Sequence, residues 1–263
     1  MTTALAGIAL AGAVQLFALQ TRKLQGHSFR VEAQQALRAS LDAITRDVRL
    51  AGANLPLTGA YIPLAGTEGG AGPDSITIRT GVLRGNLSFV QAGLTANMNQ
   101  GATVAQVANT TGFTPAMLVY LTTLAGNGQF AFVTNVGANT LTLDTAASSA
   151  YAASISTIFA IDERTYAVDT SIPGTPRLML TVNRGTPQAF AAGVRDLQIR
   201  YVLNQNCPPC DVVNAPAPAN TATWRLVNDV LITATIQTVG TVRSEDAVSF
   251  TEASRAKPRN LLP

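Results

Sequence analysis

The chain has 263 residues, only 13% of them charged, and a net charge of +3; about 25% charged is usual for a soluble domain. That length suffices for one large domain or two small ones around a sizeable core. Lys23 and Lys257 are the only lysines and the arginines are scattered, which excludes the dense basic stripe that nucleic-acid binding needs. Aromatics are few, while Ala, Thr, Gly, Asn and Ser are plentiful. This mixture predicts a strand-and-turn protein, not a charged helical bundle.

No charged residue occurs from Met1 to Thr21, and Ala4 through Val14 is unbroken apolar or Gly; Arg22 and Lys23 are the first charges. Such a helix reaches across most of a bilayer core, which takes about 20 residues. Small residues such as Gly7, Ala11 and Gly12 allow close helix contact in a membrane or a fibre core. A cleaved signal peptide would begin with basic residues and stop at a small-residue site. Here the run continues instead. A buried core helix is the remaining alternative, but a membrane anchor continuous with an amphipathic helix fits the pattern best.

The continuation has a clear face. Leu37, Leu41, Ile44 and Val48 are spaced by four, three and four, the stripe that packs a helix on a sheet. Leu24 and Val31 extend it backward. Arg38, Asp42 and Arg46 lie on other faces, with opposite charges at i, i+4. Gly52 follows the last apolar position and Pro56 comes soon after, a helix-stop signal. One helix of roughly 50 residues is predicted, giving an N-terminal membrane and assembly helix over 1–52 and a β-rich globular domain over 53–263.

Leu55 to Gly72 reads as a loop. Its Gly66–Gly72 run lacks the helix start and GK[ST] of a phosphate cradle. Alternation and β-branching place strands at Ser75–Thr80, Met117–Thr122, Phe130–Asn135, Thr140–Asp144, Thr157–Asp162, Thr165–Val168, Leu178–Val182, Leu197–Leu203 and Leu226–Thr238. A hairpin turns at Gly137-Ala138-Asn139. Residues 82–153 read as a β-rich insertion.

Catalytic chemistry finds little support. His27, the one histidine, falls inside the predicted helix, and there is no G-x-S-x-G elbow. Metal ligands are not clustered. Asp162-Glu163 and Glu245-Asp246 are isolated pairs that read as solvated turns rather than paired acids. No catalytic, cofactor or metal site is expected, and no enzyme. Cys207-Pro-Pro-Cys210 is chemically ambiguous: a C-x-x-C at a helix start exchanges disulfides, but two prolines within it and a Pro/Ala-rich loop after it argue against that use.

Four motifs in order resemble one family. RDVRLAGA (Arg46–Ala53) is similar to the helix end of PilW-type minor pilins of type IV pili, GPDSITIRT (Gly72–Thr80) to their first strand, GVRDLQIRYVL (Gly193–Leu203) to a late strand, and PRNL (Pro258–Leu261) to their closing strand. GspJ-type minor pseudopilins of type II secretion share the helix-end motif. The resemblance implies an α+β, type IV pilin-like fold, with a long N-terminal helix packed on an antiparallel β-sheet domain. It implies a structural subunit that helps prime pilus assembly in a tip complex, with other minor pilins, the major pilin and a tip adhesin as partners. The subunit would sit in the inner membrane facing the periplasm before joining the pilus or pseudopilus at the cell surface. The family's leader-peptidase site and acidic N-terminal residue are expected just before Met1, so they are not carried over. An exported protein would use Cys207 and Cys210 as a loop staple. The alternatives are a type II pseudopilin and a membrane-anchored adhesin.

Overall fold

The computed structural model describes residues 2–55, 63–83, 88–124, 126–204, 209–216, 221–237 and 249–259; the side chains of 2–13, 18–19, 22–30 and 221–222 lie outside that description. Helix α1 runs from Thr2 to Leu50. Its sequence contains no proline, and Ala, Leu, Gln and Arg favour the helical state. Leu37, Leu41, Ile44, Val48 and Ala51 are buried in one core, each large side chain contributing about 1.5–3 kcal/mol. Beyond Leu50 the Ala51 amide still reaches the Val48 carbonyl, while Gly52 takes φ of 76° and donates to the Arg79 carbonyl at 2.9 Å. A left-handed glycine ends the helix and ties it to the sheet.

The strands are β1 (Leu64–Thr67), β2 (Ser75–Gly81), β3 (Gln91–Gly93), β4 (Val104–Gln106), β5 (Leu118–Thr123), β6 (Gly128–Val136), β7 (Thr140–Leu143), β8 (Ser156–Asp169), β9 (Arg177–Val182), β10 (Gln188–Ala192), β11 (Val194–Leu203), β12 (Val212–Val213), β13 (Val227–Gln237) and β14 (Ser249–Ala256). A short helix, α2 (Thr221–Arg225), precedes β13. Ten strands form one sheet with the central path β1-β2-β8-β5-β6-β7-β4; β12-β11-β13-β14 form a second. The pairings among these named strands are antiparallel.

Strand β8 organises the larger sheet. Its first half pairs with β3 and β5, and its second half with β2 and β9. Accordingly there are two main cores. One joins α1, the four-stranded sheet and the β1-β2-β8-β9 region, including Leu64, Ile76, Tyr166, Leu197, Trp224 and Ile232. The other lies among β3–β7 and the start of β8, around Val90, Val107, Leu121, Val133, Leu141 and Ile158.

Three expectations are corrected. The α+β, pilin-like class gives way to a mostly β fold: fourteen strands in two sheets build the described structure. Among the described side chains of α1, Leu37, Leu41, Ile44 and Val48 are buried in the core, with Ala33 and Ala36 packed against it. The alternating, β-branched segments pack on one another, and most residues of the two main cores lie on strands rather than on α1. A transmembrane helix is also overturned, because no helix among the described residues is long and apolar enough to cross a membrane. The described side chains of α1 include Gln15, Gln20 and Thr21, and from Glu32 onward a charge recurs every few residues. Inner-membrane localisation, which rested on that anchor, falls with it.

Smaller differences are local. The two strands expected at Thr157–Asp162 and Thr165–Val168 are the single strand β8. The last described strand is Ser249–Ala256, ahead of the PRNL motif.

Candidate assembly surface

Buried charged groups are the first place to look for chemistry, and here each is held by partners of fixed geometry. Asp47, on α1 between exposed Arg46 and buried Val48, accepts a hydrogen bond from the Tyr166 hydroxyl at 2.8 Å and one from Arg164 at 3.2 Å. Burial and the bond donated to Asp47 push the Tyr166 phenol well above its ordinary value. Glu163 receives Arg79 at 2.6 Å and Arg184 at 3.0 Å. Burial opposes its ionisation, but the Arg184 and Arg79 guanidiniums outweigh that and hold its carboxyl below the usual value. Both arginines also lie over the Phe130 ring, at 5.0 and 4.6 Å. Asp74 accepts the Gly69 amide and the Ile199 amide, each at 2.8 Å, and so fastens the β1–β2 turn to β11. Asp229 is paired with Arg255 at 2.6 Å.

These carboxylates are saturated by arginines, a tyrosine and backbone amides, which is the pattern of structural ties. Among the described residues no group of three His, Cys, Asp or Glu is placed to hold a metal ion.

The residues singled out from sequence fall as follows. Asp162-Glu163 lies inside β8 rather than in a solvated turn, with Glu163 buried and Asp162 paired with Arg164 at 3.2 Å. The Gly66–Gly72 run leads from β1 into the turn held by Asp74. Cys210 is disulfide-bonded; Cys207, the only other cysteine in the chain, lies outside the described residues. So do Glu245 and Asp246, and so do the side chains of His27, Gly7, Ala11 and Gly12. Arg38, Asp42 and Arg46 are exposed, and Arg38 meets Glu252 at 3.3 Å.

Several large apolar side chains are exposed, Leu124 and Ile172 among them, and α1 carries three within four residues. Val14, Leu16 and Phe17 are 62%, 62% and 73% exposed. Farther along the same helix an open groove of about 470 Å³ runs between α1 and the β10–β13 region, lined by Ala33, Ala36, Ser40, Phe190, Ala192 and Ile236 among others. Phe190 stands edge-on to Tyr166 at 5.7 Å, which fixes the groove wall. The charge-free run signalled the first feature in the sequence. The second was hidden, because its far wall comes from β10 and the end of β13, about 150 and 200 residues away.

No protein-family model matches the chain, and no curated protein matches it. Three solved structures share local similarity. The Pseudomonas phage phi297 tailspike gp61 is 18% identical over 27% of this chain and 14% of its own, with a TM-score of 0.24. The Gp54 tailspike of Acinetobacter baumannii bacteriophage AP22, solved with a capsular saccharide, is 14% identical over 32% of this chain and 15% of its own, with a TM-score of 0.27. The phage phi92 endosialidase is 11% identical over 70% of this chain and 31% of its own, with a TM-score of 0.20. The chain spans less than one third of each of these proteins.

Proposed function

We propose that this chain is a non-enzymatic structural subunit of a type IV pilus or a related secretion pseudopilus, joined to its neighbours through α1. One observation carries the reading. A 49-residue helix is continuous; among its described side chains Leu37, Leu41, Ile44 and Val48 are buried in the chain's own core, with Ala33 and Ala36 packed against it, while Val14, Leu16 and Phe17 stand in solvent. Exposed apolar surface on a helix with no partner in its own chain calls for a partner outside it. A bundle of similar helices supplies one, and Gly7, Ala11 and Gly12 permit close approach in such a bundle. The four PilW-like motifs point the same way. Other minor pilins and the major pilin are the proposed partners, and the β-rich part faces outward.

The test is a deletion strain scored for surface pili and for secretion, with a pull-down of the tagged full-length chain from detergent-treated cells. Fewer pili, or lost secretion, together with recovered pilins supports the reading. Normal piliation, normal secretion and no pilin alongside the tagged chain overturn it. Gly12→Leu should lower pilin recovery while leaving the fold intact, since position 12 lies far from the packed end of α1.

A further inference from the structure

Asn127-Gly128 is the one Asn-Gly step in the sequence. Such a pair often forms the two-residue turn of a hairpin, but the fold does not use it that way. Between β5 and β6 it is Gly126 that takes a positive φ, 99°, and Asn127 lies past the turn, just ahead of β6. Asn127 is exposed, and no described residue holds its carboxamide. By contrast Asn54, Asn97, Asn183 and Asn228 each have theirs in a hydrogen bond. Gly128 is required by contact: a β-carbon there would run into the Tyr120 hydroxyl. A residue without a side chain, which shields its own amide least, therefore always follows an unrestrained asparagine, a chemically labile residue.

The Gly128 amide also stands outside the ladder. In an antiparallel pair, bonded and non-bonded positions alternate. The Thr123 amide donates to the Asn127 carbonyl at 2.9 Å, so that position is bonded and the Thr122–Gly128 position is not. The Gly128 amide thus points away from β5, and the pairing of β6 with β7 begins only at Val133. We propose that Asn127 is a site of spontaneous deamidation, through attack of the Gly128 amide nitrogen on the Asn127 side-chain carbonyl. The step forms the Gly128 N–Asn127 Cγ bond and breaks Cγ–Nδ2. Nδ2 leaves as ammonia with the glycine amide proton, and a cyclic imide remains. Water opens the imide at either carbonyl, giving aspartate or isoaspartate. Both products add a negative charge to a stretch, Val82 to Ala153, whose only charged residues are Arg84 and Asp144. Isoaspartate also inserts a methylene into the main chain beside the carbonyl that accepts the Thr123 amide and, at 3.0 Å, the Thr122 hydroxyl. The end of the hairpin then loses both bonds. The attacking nitrogen must give up its proton, so the reaction speeds up as the pH rises.

Ageing the folded full chain at mildly alkaline and mildly acid pH, with peptide mapping by mass spectrometry, tests this. Conversion at Asn127 should outrun that at Asn54 and Asn183 by at least about tenfold, a barrier difference of about 1.4 kcal/mol. It should be faster on the alkaline side and yield both isomers. The aged chain should exchange the Thr123 amide proton faster than the fresh one. Asn127→Gln, at an exposed position, should remove the product. Conversion of Asn127 in urea but not in the folded chain, equal rates at the three asparagines of the folded chain, or the same mass gain in Asn127→Gln overturns the proposal.

Discussion

The two main cores of this molecule are built from different chemistry. The region from Val82 to Ala153 carries only two charged residues, Arg84 and Asp144. Among the described residues from Val90 to Ala160 none is both buried and charged, and Thr122, Thr123 and Ser156 are the buried polar ones. The core that receives α1 is bordered by buried Asp47, Asp74, Glu163 and Asp229, each with a partner distant in sequence or a backbone amide. The first is specified by side-chain size and alternation. The second adds directional bonds that fix where the helix and the sheets meet. An apolar core tolerates rearrangement if volume is kept, whereas a paired carboxylate accepts one geometry.

The largest effect that separates them comes from a misplaced charge. Leu41→Asp places an unpaired carboxylate where Leu41 is buried under the sheets, and it should cost more than about 4 kcal/mol in urea unfolding. Asp42→Ala, one position on and exposed, should cost under about 0.5 kcal/mol. Equal tolerance of the two would show that this face of α1 does not pack. Next comes a cavity in the other core: Leu141→Ala should cost about 3 kcal/mol, with the same value at pH 6 and pH 4. A strong pH dependence of that loss would break the distinction between the cores.

Asp47→Ala leaves the Tyr166 hydroxyl and Arg164 without their acceptor. It should cost about 2 kcal/mol, less than a fully enclosed pair because Arg164 is 36% exposed. A change under about 0.5 kcal/mol in denaturant unfolding would remove Asp47 from the ties. The smallest effect is the acid limb of stability. The folded Glu163 carboxyl titrates below its ordinary value of 4.5. Its contribution is therefore present above that value and lost as the pH falls through the lower folded one. Glu163→Gln should flatten the fall in urea midpoint between pH 5 and pH 3 relative to the parent. An unchanged slope would mean that its arginine partners do not select the charged form.

The contrast also explains which parts of the sequence were legible. Strands β6, β7, β11 and β13 follow alternation that needs no knowledge of neighbours, while β5 and β9 show as short apolar and β-branched runs, β5 buried at every residue. In the sequence Asp162-Glu163 looks like a turn, which divides β8 into two expected strands. Only Arg79, Arg184 and Arg164, brought from elsewhere in the fold, make acidic residues acceptable in mid-strand. Strand β14, SFTEASRA, is too polar to stand out, and pairing with β13 alone defines it. Asp47 gave no signal, since it sits beside Arg46 on a helix whose other charges are solvated. The candidate surface divides the same way. The exposed apolar run was readable as a run, while the groove exists only after β10 and β13 close against Ala33 and Ala36.

Strand β8 has a consequence for how the chain can be cut. The region from β3 to β7 looks excisable, since it leaves β8 and returns to it with a core of its own. Yet the amide and carbonyl of Ala160 both serve that flank, bonded to Val90 and Val82, and β5 covers the opposite edge. Excision would bare both edges of Ser156–Ala160 in the middle of the molecule, a pairing template for any other chain. The remaining helix-bearing part would keep its ties and still be prone to join sheets with its neighbours. The extra strands act as a shield for the strand they interrupt, and a shortened relative of this protein would need a different cover over the start of β8.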